Sequence, residues 1–170
     1  DTEFWKNESE YKHSDKDYIL FIGNDLNRDY DFLNKLVRNM EDYNFVFLTS
    51  RLSEKDLNLK NVEIYDGMWW NNKLSDVAIK NLYKKAYLTI IPLNNTLQPS
   101  GQSVALQSMS LGTPVLITKT KGFWDKSKYY EDENIFFMNQ NDVTLWRNKI
   151  ISLLSSDKKL IEVSKNGKKL

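Results

Sequence analysis

Short apolar runs alternate along this chain with stretches whose apolar residues recur at helical spacing, and few folds accept that order. Residues 18–23 (YILFIG) form an apolar run closed by glycine. Beyond them Leu33, Leu36, Val37 and Met40 fall at i, i+3, i+4 and i+7, one face of a helix. Residues 45–50 (FVFLTS) read as a second strand and 61–67 (NVEIYDG) as a third, followed by a helix carrying Leu74, Val77, Ala78 and Leu82. Residues 87–93 predict a buried strand halted by Pro92, 100–111 a helix, 114–118 and 134–138 two further strands. Asp142 then caps a helix with Trp146, Ile150, Leu153 and Leu154 on one face, and a last helix follows Asp157. Strands interleaved with helices over 18–170 imply an α/β fold: a doubly wound, Rossmann-like parallel sheet of about six strands with helices on both faces. Ligands of such sheets sit at the carboxyl ends of the strands, so strand-end loops are where function is sought. Residues 1–17 lack the pattern and read as a linker or tail.

Composition removes several chemistries. Lys and Arg number 24 against 23 Asp and Glu, a net charge of +1 with no long block of either sign, so no nucleic acid partner is expected. Without cysteine there are no disulfides, thiolate nucleophiles or zinc–thiolate sites, and the one histidine, His13, reads as a solvated tail residue in KNESEYKHSDKD. No run approaches the roughly 20 apolar residues of a membrane span, and no leader sequence is visible; the expectation is a cytoplasmic protein whose domain makes no membrane contact.

Two strand-end loops carry the candidate site. After the fourth strand comes NNTLQPSG, residues 94–101, and a helix whose first turn holds Ser100, Gly101, Gln102 and Ser103. A helix start leaves backbone N–H groups without partners, and glycine lets a ligand approach them, so an anion such as phosphate suits the place. Gln107 lies four residues beyond Ser103, one turn along the same face, at a reach that suits a sugar hydroxyl. The same residues also fit an ordinary helix start, with Ser100 as N-cap and Gln107 on an exposed face. The second loop is GNDLNRDY, residues 23–30, where Arg28 offers a planar fork to a phosphate or simply pairs with Asp25 or Asp29 at the surface. It is not GxGxxG, which argues against a nicotinamide or flavin dinucleotide.

In this order and spacing the motifs resemble the C-terminal half of GT-B fold glycosyltransferases of the family 4, or group 1, type. DTEFW at the start resembles that family's interdomain linker; residues 19–36 resemble its first strand, phosphate loop and helix. NLYKKAYLTIIPL (81–93), PSGQSVALQSMSLGTPVLIT (99–118) and residues 133–154 resemble its helix–strand unit, signature helix and closing strand and helix. The resemblance implies a domain that binds a nucleotide-diphosphate sugar as substrate, with neither metal nor other cofactor. Gly23, Asn24, Arg28, Ser100, Gly101, Gln102 and Ser103 would contact the diphosphate, and Gln107 the ribose. Met68, with Trp69 and Trp70, falls where the family places the nucleobase. Arg28 would be the catalytic residue, stabilising the departing diphosphate. The family's two signature acids are replaced here by Pro99 and Gln107. The resemblance also implies retention of anomeric configuration, an unspecified glycan or lipid acceptor, and a parent enzyme of hexosyltransferase type, peripheral to the inner membrane face, in polysaccharide assembly. Its N-terminal acceptor domain would be absent here, leaving the domain alone inactive. The rival readings are a non-catalytic nucleotide-binding module and a domain of a GT-B fold sugar-nucleotide epimerase.

Overall fold

The computed structural model describes residues 3–7, 9–67 and 74–170. Its centre is a six-stranded sheet, every pairing parallel: β1 (Tyr18–Ile22), β2 (Phe45–Leu48), β3 (Val62–Tyr65), β4 (Ala86–Ile91), β5 (Val115–Thr118) and β6 (Phe136–Met138), in the order β3-β2-β1-β4-β5-β6. From β1 the chain winds outward to β3, then returns to the middle and winds the other way. The reversal leaves β1 and β4 side by side, with their connections departing on opposite faces.

Alternation along the strands fills two cores. Ile19, Phe21, Phe45, Phe47, Leu88 and Leu116 face helices α1 (Tyr30–Arg38), α5 (Val143–Leu154) and α6 (Asp157–Gly167), which contribute Leu33, Leu36, Trp146, Ile150 and Leu160. Leu20, Val46, Ile91, Val115 and Ile117 face α3 (Asp76–Lys85) and α4 (Gln102–Ser110), which contribute Tyr83, Val104, Ala105 and Met109. Both faces of β1, β2, β4 and β5 are covered, which explains why these strands read as continuous apolar runs.

Some elements differ from the sequence-based expectation. A one-turn helix, α2 (Glu54–Leu57), buries Leu57 and ends at Asn58 with φ 47°; four residues are too few to show a periodicity. Helix α3 starts at Asp76 behind a Ser75 cap, so Leu74 precedes it, and Val77 is exposed rather than core-facing. His13 is not a solvated tail residue. Its ring lies 4.6 Å from that of Tyr87, and Nδ1 is 3.1 Å from an Asp157 carboxylate oxygen. The segment before β1 docks on the domain: Tyr11 is buried and donates to the Tyr87 carbonyl at 3.1 Å, and Asn7 donates to the Leu111 carbonyl at 2.9 Å.

The Trp146 indole is fully buried, 5.3 Å from the Phe32 ring, and its Nε1–H donates to the Gln140 carbonyl at 3.1 Å. Trp146→Ala is expected to cost about 3–5 kcal/mol, measured as a lowered urea midpoint at unchanged slope.

Candidate functional site

Where β1 and β4 part, their loops meet. Arg28 and Leu93 form an antiparallel bridge, Asp29 N–H donates to the Pro92 carbonyl at 3.1 Å, and Asn94 N–H donates to the Asn27 carbonyl at 2.8 Å. The Asn94 side chain adds a bond to the Arg28 carbonyl at 3.2 Å. The two candidate loops are thus stitched into one wall. Above it lies a cleft of about 360 Å³ lined by Gly23, Asn24, Arg28, Ser103, Val104 and Gln107 among others.

Arg28 is the electrostatic centre of this cleft. Only 3% of it is exposed. Its Nη1 donates to Ser100 Oγ at 2.8 Å and lies 3.2 Å from Asp25 Oδ2, while Nε is buried without a partner among the described residues. Desolvation pulls its basicity down and Asp25 pushes it back up; a guanidinium is basic enough to remain a cation at neutral pH. Gly23 is what permits this placement, since a Cβ there would come within 2.5 Å of Arg28 Nε. The surface-pair reading of Arg28 is therefore overturned: its charge is held under the cleft.

The start of α4 faces the same place. Gly101 precedes the helix with φ +82°, a left-handed conformation suited to glycine, and no side chain caps the helix. By contrast Asp29, Ser75 and Asp142 accept bonds at the starts of α1, α3 and α5. Ser100 is not an N-cap, because its hydroxyl is spent on Arg28 and Asp25. The first turn of α4, with Gln102 half-buried, Ser103 exposed and no acidic residue, keeps the positive end of the helix dipole uncompensated.

Gln107 stands one turn further in. Its Oε1 accepts from the Tyr83 hydroxyl at 3.1 Å, and burial pushes the Tyr83 phenol well above its ordinary value, so the donor stays protonated. The Gln107 amide is thereby oriented, with its NH2 left to donate. Asn24 serves differently: its Nδ2 donates to the Gly67 carbonyl at 2.6 Å, and its Oδ1 accepts from Thr49 at 3.2 Å and from the Ser50 amide at 2.7 Å. Its side chain ties the ends of β1, β2 and β3 together where Asn24 lines the cleft. Pro99 is exposed. Met68, Trp69 and Trp70 lie outside the described residues.

Lining residues that escaped the sequence reading include Trp5, Asp76, Ile79 and Tyr83. Trp5 stacks edge-on against Tyr83 at 6.0 Å, and the Lys80 ammonium holds the neighbouring Phe4 carbonyl. The aromatic pair Phe4–Trp5 within a charged segment was the available signal. A larger hollow of about 650 Å³ beside Thr49, Ser50, Leu52 and Ile64 has no buried charge among its described lining residues. The buried charge lies in the smaller cleft.

A family model, that of glycosyl transferases group 1, matches residues 3–170. The chain belongs to this family. The group 1 assignment agrees with solved structures. The C-terminal domain of the group 1 family protein LpcC from Francisella tularensis superposes with a TM-score of 0.69 at 16% identity, covering 99% of this chain and 94% of that one. Anabaena Alr3699/HepE in complex with UDP matches with a TM-score of 0.69 at 14% identity, covering 99% of this chain and 50% of that one. WaaG, a glycosyltransferase involved in lipopolysaccharide biosynthesis, gives a TM-score of 0.64 at 16% identity over 91% of this chain and 42% of that one. This group 1 chain therefore has the Rossmann-like architecture of one half of a GT-B fold, and spans about half or less of the HepE and WaaG chains. No curated protein sequence matches it.

A Cβ at position 101 would sit at positive φ and 2.9 Å from Ile91 Cγ2. Gly101→Ala should lower stability by about 1–3 kcal/mol, visible by calorimetry as a reduced melting temperature.

Proposed function

We propose that this chain is the donor-binding domain of a glycosyltransferase, taking a nucleotide-diphosphate sugar and stabilising the diphosphate as it departs. The observation that carries the reading is the buried Arg28 cation set beside the uncapped start of α4, at the switch point of the sheet. Two fixed positive sources converge there, and a diphosphate is the ligand whose charge and length span both. The UDP-bound and UDP-glucose-bound forms of HepE, which shares the fold, support the choice of ligand class.

In the transfer the bond from the sugar C1 to the diphosphate oxygen breaks, a bond from C1 to an acceptor oxygen forms, and the acceptor proton is lost. Negative charge grows on the leaving diphosphate. Arg28 and the amides of Gln102 and Ser103 meet that charge without reorganising, because burial and Ser100 hold the guanidinium and the helix holds the amides. The reading assigns no step to a metal or other cofactor. Gln107, oriented by Tyr83, donates to a ribose hydroxyl. Acceptor, acceptor domain and retained configuration belong to the parent enzyme we infer, placed on the cytoplasmic side. Among the described residues no helix is long and apolar enough to cross a membrane. Pro99 gives the second reading, a nucleotide-binding module without chemistry, its best support, since proline has no group to offer a sugar hydroxyl.

Titration with UDP, GDP and ADP followed by thermal shift tests the donor site. At least one nucleotide is expected to stabilise the chain. Arg28→Met, which keeps much of the buried volume, should weaken it by about a hundredfold or more, and Gln107→Ala by about five- to tenfold. A parent enzyme that hydrolyses or transfers a labelled nucleotide sugar favours the transferase over the module; absence of any shift with all three nucleotides defeats both.

A further inference from the structure

One carboxylate stands where the ligand's own anion has to go. Asp25 Oδ2 lies 3.2 Å from Arg28 Nη1, and Oδ1 accepts from Ser100 Oγ at 3.0 Å and from the Asn27 amide at 3.0 Å. It lines the cleft with Arg28, Ser103 and Gln107. The other acid of the loop is turned away: Asp29 caps α1 through Phe32 N–H and accepts from Asn141 at 2.8 Å. Asp25 has no such capping duty. Its side chain is 44% exposed whereas that of Arg28 is 3% exposed, so the anion can leave by rotation while the cation cannot.

A buried guanidinium without a counter-charge is costly, and a carboxylate beside it offsets that cost. A diphosphate seated against α4 needs the same Nη1 and the same Ser100 hydroxyl, and two anions cannot share one cation without repulsion. We infer that Asp25 is a built-in counter-anion, holding Arg28 and Ser100 in register until the donor diphosphate displaces it, so that donor binding is an exchange of anions. The inference rests on the donor-site reading above. A monophosphate regains little more than the carboxylate it expels, while a diphosphate also reaches the amides of α4, so UDP should bind the native chain more tightly than UMP.

The test is isothermal titration calorimetry of the whole chain and of Asp25→Asn and Asp25→Ala with UDP, GDP and ADP, then with the matching monophosphate. Asn keeps the shape and one acceptor oxygen without the charge; Ala removes both. Both variants are expected to bind the diphosphate roughly tenfold tighter and to melt lower than the native chain without nucleotide. Two variants of unequal severity keep the test open should one fold poorly. A native chain that binds a nucleoside diphosphate while both variants bind equally or more weakly overturns the displacement and makes Asp25 a supporting partner, leaving the donor site intact. No binding by any of the three removes the donor-site reading and this inference together.

Discussion

A buried cation is the constraint from which the rest of this site follows. The Arg28 guanidinium is almost wholly removed from water, and a charge placed there must be compensated or paid for in stability. The chain compensates with groups from both sides of the switch point, Asp25 from the loop after β1 and Ser100 from the loop after β4. Any change that shifts one loop against the other exposes the cation to a worse environment. The backbone bridge at Arg28–Leu93 and the bonds through Asn94 are the same constraint seen in the main chain.

Rigidity at this place also explains the small residues. Gly23 gives the guanidinium room, and Gly101 both turns the chain into α4 and lies close to Ile91, Ile117 and Arg28. Packing, conformation and electrostatics therefore meet at a handful of atoms. The opposite end of the cleft is built otherwise, from a buried Tyr83 whose hydroxyl orients Gln107 and whose ring supports Trp5. One end is arranged for charge and the other for hydroxyls and flat apolar surface, which is the polarity of a nucleotide.

The sheet was legible because its signals are redundant. β1, β2, β4 and β5 are apolar runs, and both cores demand it. Element ends were less so, since Leu74 and Val77 are apolar without being buried in α3, and α2 is a single turn. In the site, the small-residue helix start and the position of Gln107 one turn along the same face could be anticipated from composition and spacing. The burial of Arg28, the roles of Asn24 and Ser100 as internal struts, and the arrival of Trp5 in the cleft could not, because each depends on contacts between residues far apart in sequence. The docking of His13 on Tyr87 escaped for the same reason.

Position 99 is where chemistry and geometry separate. The loop that carries Pro99 is clamped on both flanks: Asn94 ties it to the loop after β1, and Gly122 packs directly on the Leu97 backbone while donating to the Thr96 carbonyl at 3.0 Å. Proline fixes its own φ and presses the preceding residue toward extended backbone. A clamped loop ending in proline delivers Ser100 and the left-handed Gly101 with little freedom, and so sets the hydroxyl that Arg28 needs and the first amides of α4. What proline withholds from a sugar hydroxyl it supplies as preorganisation of the anion end. Asp25 is the carboxylate that touches both Arg28 and Ser100. The cleft therefore holds this acid against its buried cation, beside the start of α4.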